Sequence, residues 1–283
     1  MERRELTVDG GLEGAVIAVT GGAKGIGQAT AEQMVARGAR VAIGDLDLEG
    51  VTATAGAIGD RAVGLHLDVT DRDSFGEFLN SAEALFGPLD GLVNNAGVMM
   101  LGPVDEEDPK TTAAMIAVNL TGVINGTQLA MSLMKPRRRG RIINIASQAG
   151  KAGLAGGATY CATKSAVIGF SEAVRAELKG SGVGISWVLP GVVDTELAAG
   201  LPEINLMDPL SPDDIAKAVA DAMIKGGSEI WVPTLNQWLD APMRLLPRNL
   251  RESIYGLAGA DRVLSGADSE RRREYEEHVG RGS

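Results

Sequence analysis

"AVIAVTGGAKGIG", Ala15 to Gly27, runs from an apolar stretch into a glycine-rich turn and then into a helix-forming segment. The apolar run reads as a strand buried on both faces. The glycines that follow permit a tight turn and let a ligand approach main-chain N–H groups at a helix N-terminus, where negative charge is favoured. The spacing is Gly21-x-x-x-Gly25-x-Gly27, with Lys24 and Ile26 inside the turn. It departs from G-x-G-x-x-G but uses the same physics for a pyrophosphate. Gly27, opening the helix, permits close packing on the sheet.

The same alternation continues along the chain. "RVAIGD" (Arg40 to Asp45), "AVGLHLD" (Ala62 to Asp68), "DGLVNNAG" (Asp90 to Gly97), "GRIINIAS" (Gly140 to Ser147), "GVGISWVLP" (Gly182 to Pro190) and "SEIWVP" (Ser228 to Pro233) read as further strands. Helical candidates lie near residues 25–37, 48–57, 71–86, 106–135, 159–180 and 211–225. Buried strands alternating with helices imply right-handed crossovers onto a parallel sheet. The expected fold is α/β: a Rossmann-like, doubly wound parallel sheet of about seven strands, with helices on both faces. Residues 1–233 are read as one domain. Residues 234–283 change character, from a Pro-rich apolar stretch to the charged "ADSERRREYEEHV", and are read as a C-terminal helical extension packing on that domain or on a neighbouring subunit.

Composition narrows the class. A net charge of -10 over 283 residues argues against a nucleic-acid partner. The basic cluster "KPRRRGR" (Lys135 to Arg141) reads as a solvated turn. Cys161 is the only cysteine, so no intrachain disulfide forms. The charged N-terminus lacks the apolar core of a signal peptide, and no apolar run reaches the length of a membrane span. A cytoplasmic protein is expected. His66 and His278 form no metal cluster with each other, and no metal is expected.

The second predicted strand ends at Asp45, near the offset at which a carboxylate accepts hydrogen bonds from an adenosine ribose. Its charge would repel the 2′-phosphate of NADP, which favours NAD. Lys24 argues the other way, since it could reach that phosphate. Asp47 reads as solvated. Asp68 is read either as an adenine contact or as a helix N-cap. Leu46 and Val69, beside these carboxylates, join the expected cofactor-binding set.

"TGGAKGIG", "NNAG" (Asn94 to Gly97), "VNLTG" (Asn119), "IINIAS" (Ser147), "YCATK" (Tyr160, Lys164) and "PGVVDT" (Pro190 to Thr195) stand in the order and spacing of the short-chain dehydrogenases/reductases. The resemblance covers roughly residues 12 to 233. It implies Tyr160 as general acid/base, with Ser147 hydrogen-bonding the substrate oxygen and Asn119 holding a water on the proton path. Lys164 would bind the nicotinamide ribose. A free tyrosine has a pKa of about 10, too high for a base near neutrality. A neighbouring ammonium stabilises phenolate, and the i, i+4 spacing puts Lys164 on the same helix face as Tyr160. Asn94 would stabilise the sheet, while Asn95, Ala96 and Gly97 leave room for the cofactor. Pro190, Gly191, Val193 and Thr195 resemble the segment holding the carboxamide, although Thr195 also reads as a helix N-cap. A homotetramer or homodimer is implied. Cys161 reads as a bystander.

The segments bordering the expected cleft carry Met99, Met100, Leu101, Leu154, Leu197, Leu201, Leu206 and Met207 and little fixed charge. An apolar secondary alcohol or ketone is the expected substrate. The stretch after the sixth strand reads as a flexible lid. Three other readings stand beside this one: a catalytically silent dinucleotide-binding regulatory or scaffold protein, an NADP-preferring reductase, and peripheral membrane contact by the extension. The last would use Trp238, Leu239, Met243, Leu245 and Leu246 with Arg244, Arg248 and Arg251.

Overall fold

The computed structural model describes residues 11–202, 209–243, 245–247, 249–250, 253–254, 262–268, 272 and 275. Its centre is a sheet of seven parallel strands in the order β3-β2-β1-β4-β5-β6-β7. These are β1 Val16–Thr20, β2 Arg40–Asp45, β3 Ala62–His66, β4 Gly91–Asn94, β5 Gly140–Ile145, β6 Val183–Pro190 and β7 Glu229–Val232. Every apolar run expected to be a strand is one. Three of them, β3, β4 and β5, end two or three residues early, at their carboxyl ends, where the chain turns out of the ladder; much of the site is built from these exits. The order reverses between β1 and β4, the position at which open α/β sheets offer a crevice.

Helices cover both faces: α1 Gly25–Ala36, α2 Leu48–Ile58, α3 Arg72–Phe86, α4 Pro109–Ile116, α5 Gly122–Met134, α6 Ala158–Glu177 and α7 Pro212–Lys225. The strands supply apolar residues to both sides. Ile17, Val19, Ile43 and Val188 pack with α1 and α7, and Val16, Ala18, Leu92 and Ile142 with α3 and α5.

Several helix starts follow from capping chemistry. Asp47 accepts from the Gly50 N–H at 2.9 Å and begins α2, so it has a structural task rather than being merely solvated. Asp71 caps α3 by accepting from Asp73 N–H at 2.8 Å, and this removes the capping reading of Asp68. The helix expected from residue 106 starts at Pro109, because Asp108 caps it and proline suits the first turn. It is also interrupted: Ala117–Thr121 form a π turn between α4 and α5. The basic cluster is more than a solvated turn. Arg137 donates to the Leu89 carbonyl and Arg139 pairs with Asp90 at 3.0 Å. Asp90 in turn accepts from Val16 N–H at 3.2 Å, fastening β1 to the start of β4.

Beyond β7, helix α8 (Leu235–Met243) leaves Trp238 and Leu239 exposed. A further turn of helix spans Arg262–Ser265. The expected charged helix, the wall residues Leu206 and Met207, Arg244, Arg248, Arg251 and His278 lie wholly or mostly outside the described residues. No helix among the described residues is long and apolar enough to cross a membrane.

The centre of the sheet holds a buried polar chain. Asn94 donates to Asn144 Oδ1 at 2.9 Å, Asn144 donates to Ser171 at 2.9 Å, and Ser171 donates to the Val167 carbonyl at 2.7 Å. It ties β4 to β5 and β5 to α6, which carries Tyr160. Replacing Asn144 with alanine strands a donor on Asn94, so Asn144→Ala should destabilise the fold by about 1–3 kcal/mol. Urea midpoints measure this; an unchanged midpoint would remove the chain from the account of the fold.

Candidate active site

The site is built at the carboxyl ends of the strands. Leaving β1, the chain passes through Gly21 (φ 66°) and Gly25 (φ 59°), both in the left-handed region that favours glycine. A Cβ on Gly21 would lie 2.7 Å from Ala96 Cα, so the turn and the β4 exit touch backbone to backbone. Asn95 fastens the two by donating to the Thr20 and Gly21 carbonyls, each at 2.9 Å, and Thr20 Oγ1 accepts from the Asn95 and Ala96 N–H groups. The first turn of α1, Gly25, Ile26 and Gly27, opens beside this junction.

At the end of β2, Asp45 accepts from Ala23 N–H at 3.0 Å and from Asp47 N–H at 3.2 Å, which draws its carboxylate to the glycine turn. Each oxygen keeps acceptor capacity for a ribose hydroxyl. Leu46, next in sequence, is a large apolar side chain left exposed. Asp68 accepts from Thr70 through both its N–H (2.8 Å) and its hydroxyl (2.7 Å), with Val69 buried beside it. Lys24 does not wait for a phosphate. It forms an ion pair with Glu196 across the cleft, both side chains more than half exposed.

After β6, Leu210 accepts from Asp194 N–H and donates to the Val192 carbonyl. In a parallel pairing, the residue between those two points its own N–H and C=O the other way. Val193 therefore presents its main chain away from Leu210. Thr195 caps no helix with its side chain; its hydroxyl donates to the Val193 carbonyl at 3.4 Å. Gly191 adjoins Gln148, which donates to the Leu189 and Val232 carbonyls and accepts from Asn236 at the start of α8.

Ser147, Tyr160 and Lys164 meet where β5 ends against α6. Ser147 caps the short 3₁₀ turn Gln148–Gly150, accepting from Ala149 N–H at 3.1 Å, and hydrogen-bonds the Tyr160 phenol. Lys164 Nζ donates to the Ile145 carbonyl at 3.0 Å and sits 5.7 Å from the Tyr160 ring centre. Lys164 is buried, and burial pulls its pKa down to about 8. Burial pushes Tyr160 up to about 12; the Ser147 hydrogen bond opposes this, and the charges of Cys161 and Tyr275 add to it. The expected lowering of Tyr160 by Lys164 is therefore absent in this state, because the cost of burying a phenolate outweighs a cation over the ring. Cys161 is buried and its thiol is pushed up by burial, away from thiolate chemistry.

Asn119 lies in the π turn and is fully buried. It donates to the Val98 carbonyl at 2.8 Å and to Thr163 at 3.2 Å, and accepts from Val98 N–H at 2.8 Å. It thus joins the β4 exit to α6. π turns recur at functional sites because they shift the helical ladder.

A family model described as short chain dehydrogenase matches residues 15–205. The chain belongs to the short-chain dehydrogenase/reductase family. It is therefore an oxidoreductase. It is 41% identical over 186 residues to a sorbitol dehydrogenase of Cereibacter sphaeroides, covering 65% of this chain and 73% of that one. It is 40% identical over 197 residues to a 3-alpha-(or 20-beta)-hydroxysteroid dehydrogenase of Mycobacterium tuberculosis, covering 69% of this chain and 75% of that one. Among solved structures, a family member from Burkholderia phymatum in complex with NAD superposes with a TM-score of 0.74 at 25% identity. That match covers 81% of this chain and 92% of the other.

Of the apolar residues expected around the dehydrogenase's cleft, Met99, Met100, Leu101, Leu154, Leu197 and Leu201 gather in the cluster containing Tyr160. Sequence reasoning missed Met115, Val263 and Leu264 in that cluster, and also Thr20 and Glu196. Thr20, the residue between the apolar run and the first glycine, was visible in sequence. The partners of Glu196 and Leu264 are far away along the chain and carry no local signal.

The Lys164 shift makes a prediction about stability. Its folded pKa lies below the unfolded value, so the unfolded chain binds more protons between about pH 8 and 10.5, and stability rises across that window. Lys164→Met removes this gain. The stability of the variant relative to wild type should decrease on going from pH 7 to pH 9.5, as read from urea midpoints. A constant difference would show that Lys164 is not held in a depressed state.

Proposed function

We propose that the chain is an NAD(H)-dependent oxidoreductase that moves hydride between the nicotinamide and an apolar secondary alcohol or ketone, with Tyr160 as general acid/base. The observation carrying this reading is the meeting of Ser147, Tyr160 and buried Lys164 beside the glycine turn, under walls that are almost wholly apolar. The residues present fit a dinucleotide. Gly21 and Gly25 make a cradle that a Cβ would obstruct or strain, and the first turn of α1 offers N–H groups to a pyrophosphate.

Gly21, Lys24, Gly25, Ile26 and Gly27 would hold the phosphates; Asp45 and Leu46 the adenosine; Asp68 and Val69 the adenine. Asn95, Ala96 and Gly97 would line the floor. Tyr160 and Lys164 would take the nicotinamide ribose, and Pro190, Gly191, Val193 and Thr195 the carboxamide. When bound, the nicotinamide supplies or accepts the hydride, and in its oxidised form it carries a positive charge. This chain's residues do the rest. Ser147 orients the substrate oxygen, Tyr160 removes its proton in oxidation or returns it in reduction, and Lys164 and Asn119 lead that proton toward solvent. Positioning of this kind is where much of the rate arises.

Asp45 favours NAD by charge, and the pairing of Lys24 with Glu196 weakens the main argument for NADP. The NAD in the Burkholderia phymatum structure and the steroid dehydrogenase among the relatives agree with this reading. A silent scaffold would have no need of the Ser147, Tyr160, Lys164 and Asn119 constellation.

Tyr160→Phe should lower turnover of a secondary alcohol by about 10²–10⁴-fold while leaving NADH binding, read by fluorescence, nearly unchanged. Retained turnover would take Tyr160 out of its role. Asp45→Ser should raise the NADP-to-NAD ratio of kcat/KM by about tenfold or more, since tenfold requires only 1.36 kcal/mol of lost repulsion. An unchanged ratio would move cofactor selection elsewhere.

A further inference from the structure

The family match ends at residue 205, yet several residues far beyond it touch the catalytic neighbourhood. Leu264 is buried in the same apolar cluster as Met99, Met115 and Tyr160. It rests on the loop preceding α6: a Cβ on Gly157 would run into Leu264 Cδ1, and one on Gly156 would come within 2.9 Å of Ser265 Cα. Arg272 is also buried. It donates to the Leu197 carbonyl at 2.8 Å and to the Ala199 carbonyl at 3.4 Å in the segment after β6, and to the Met99 carbonyl in the segment after β4. Its guanidinium lies 4.6 Å from the Tyr275 ring centre, and the Tyr275 oxygen accepts from Met99 N–H at 3.4 Å. Asp268 N–H donates to the Gly200 carbonyl at 2.7 Å.

We propose that this C-terminal segment completes the substrate pocket of its own chain, with Arg272 as the positioning residue and Leu264 and Tyr275 as specificity determinants for bulky apolar alcohols. The inference rests on the function proposed above. One guanidinium binds carbonyls from both loops that flank the catalytic edge, so the two loops and the segment hold one another in a single arrangement. A rigid fork of donors suits this task better than an ammonium. The surface delivered to Tyr160 is aliphatic on the Leu264 side and aromatic on the Tyr275 side. A polyol placed there would bury hydroxyls against the aliphatic Leu264 side, which cannot replace their water partners. The segment thus favours a compact hydrocarbon skeleton bearing the reacting hydroxyl, and disfavours a sugar alcohol.

The test compares oxidation of 2-decalol with that of 2-propanol by full-length wild type, Arg272→Met, Arg272→Lys and Leu264→Ala, with melting temperature and NADH binding as controls. Loss of one pocket contact in an apolar site changes discrimination by about 10–200-fold. Arg272→Met should accordingly raise KM for 2-decalol at least about tenfold and lower kcat/KM for 2-decalol at least about tenfold more than kcat/KM for 2-propanol. Arg272→Lys should recover part of the loss. Stabilisation of the NADH-bound protein by 2-decalone, seen as a rise in melting temperature, should shrink in the Met variant. If Arg272→Met fails to fold, Leu264→Ala decides, with the same direction expected. Unchanged discrimination in variants that bind NADH normally would overturn this proposal alone. A wild type that binds NADH but oxidises neither alcohol would overturn the underlying function as well.

Discussion

An ammonium group taken out of water beside a phenol costs free energy, and the chain meets that cost with few groups. Lys164 donates to the Ile145 carbonyl, which is available because β5 ends there and the chain turns into Ser147. The ammonium and the phenol share one face of α6, and α6 is held to the sheet through Asn144 and Ser171. Asn119, anchored on Val98 and Thr163, closes the other side. The register of the sheet, the π turn and the polar chain beneath α6 thus serve one arrangement: two titratable groups kept buried and close.

Burial moves the two groups in opposite directions, both toward their neutral forms. Tyr160 is a poor base in this state, and Lys164 is close to giving up its proton. Such a site needs an added positive charge to ionise the phenol. On the function proposed above, proton removal would be coupled to occupancy of the adjoining dinucleotide cleft, because an oxidised nicotinamide would bring that charge.

The sheet was legible in the sequence because each strand is a short β-branched run bounded by glycine or a turn, and both faces are buried. Asp45 and Ser147 were legible because a parallel sheet brings the ends of its strands to one edge, and Tyr160 with Lys164 because their i, i+4 spacing on one helix matches the family's motif. Other features were not, for identifiable reasons. The π turn at Asn119 depends on tertiary contacts with Val98 and Thr163. Pairing of Arg137 and Arg139 with groups near β4 made a charged run look merely solvated. Arg272 and Tyr275 sit in a stretch so rich in charge that its composition suggested a charged helical extension but named no contacts; their partners lie more than 70 residues away along the chain. The raised pKa of Tyr160 without cofactor was not legible, because spacing reports proximity to Lys164 but not loss of water.

Ionisation of Tyr160 with and without cofactor is the most direct measurement of this account. Tyrosine labelled with ¹³C at Cζ, assigned through Tyr160→Phe, reports phenol and phenolate separately. The account predicts a neutral Tyr160 at pH 9 in the free protein and a phenolate, or a titration displaced clearly downward, once NAD⁺ is bound. The same protonation state and the same titration in both forms would contradict it.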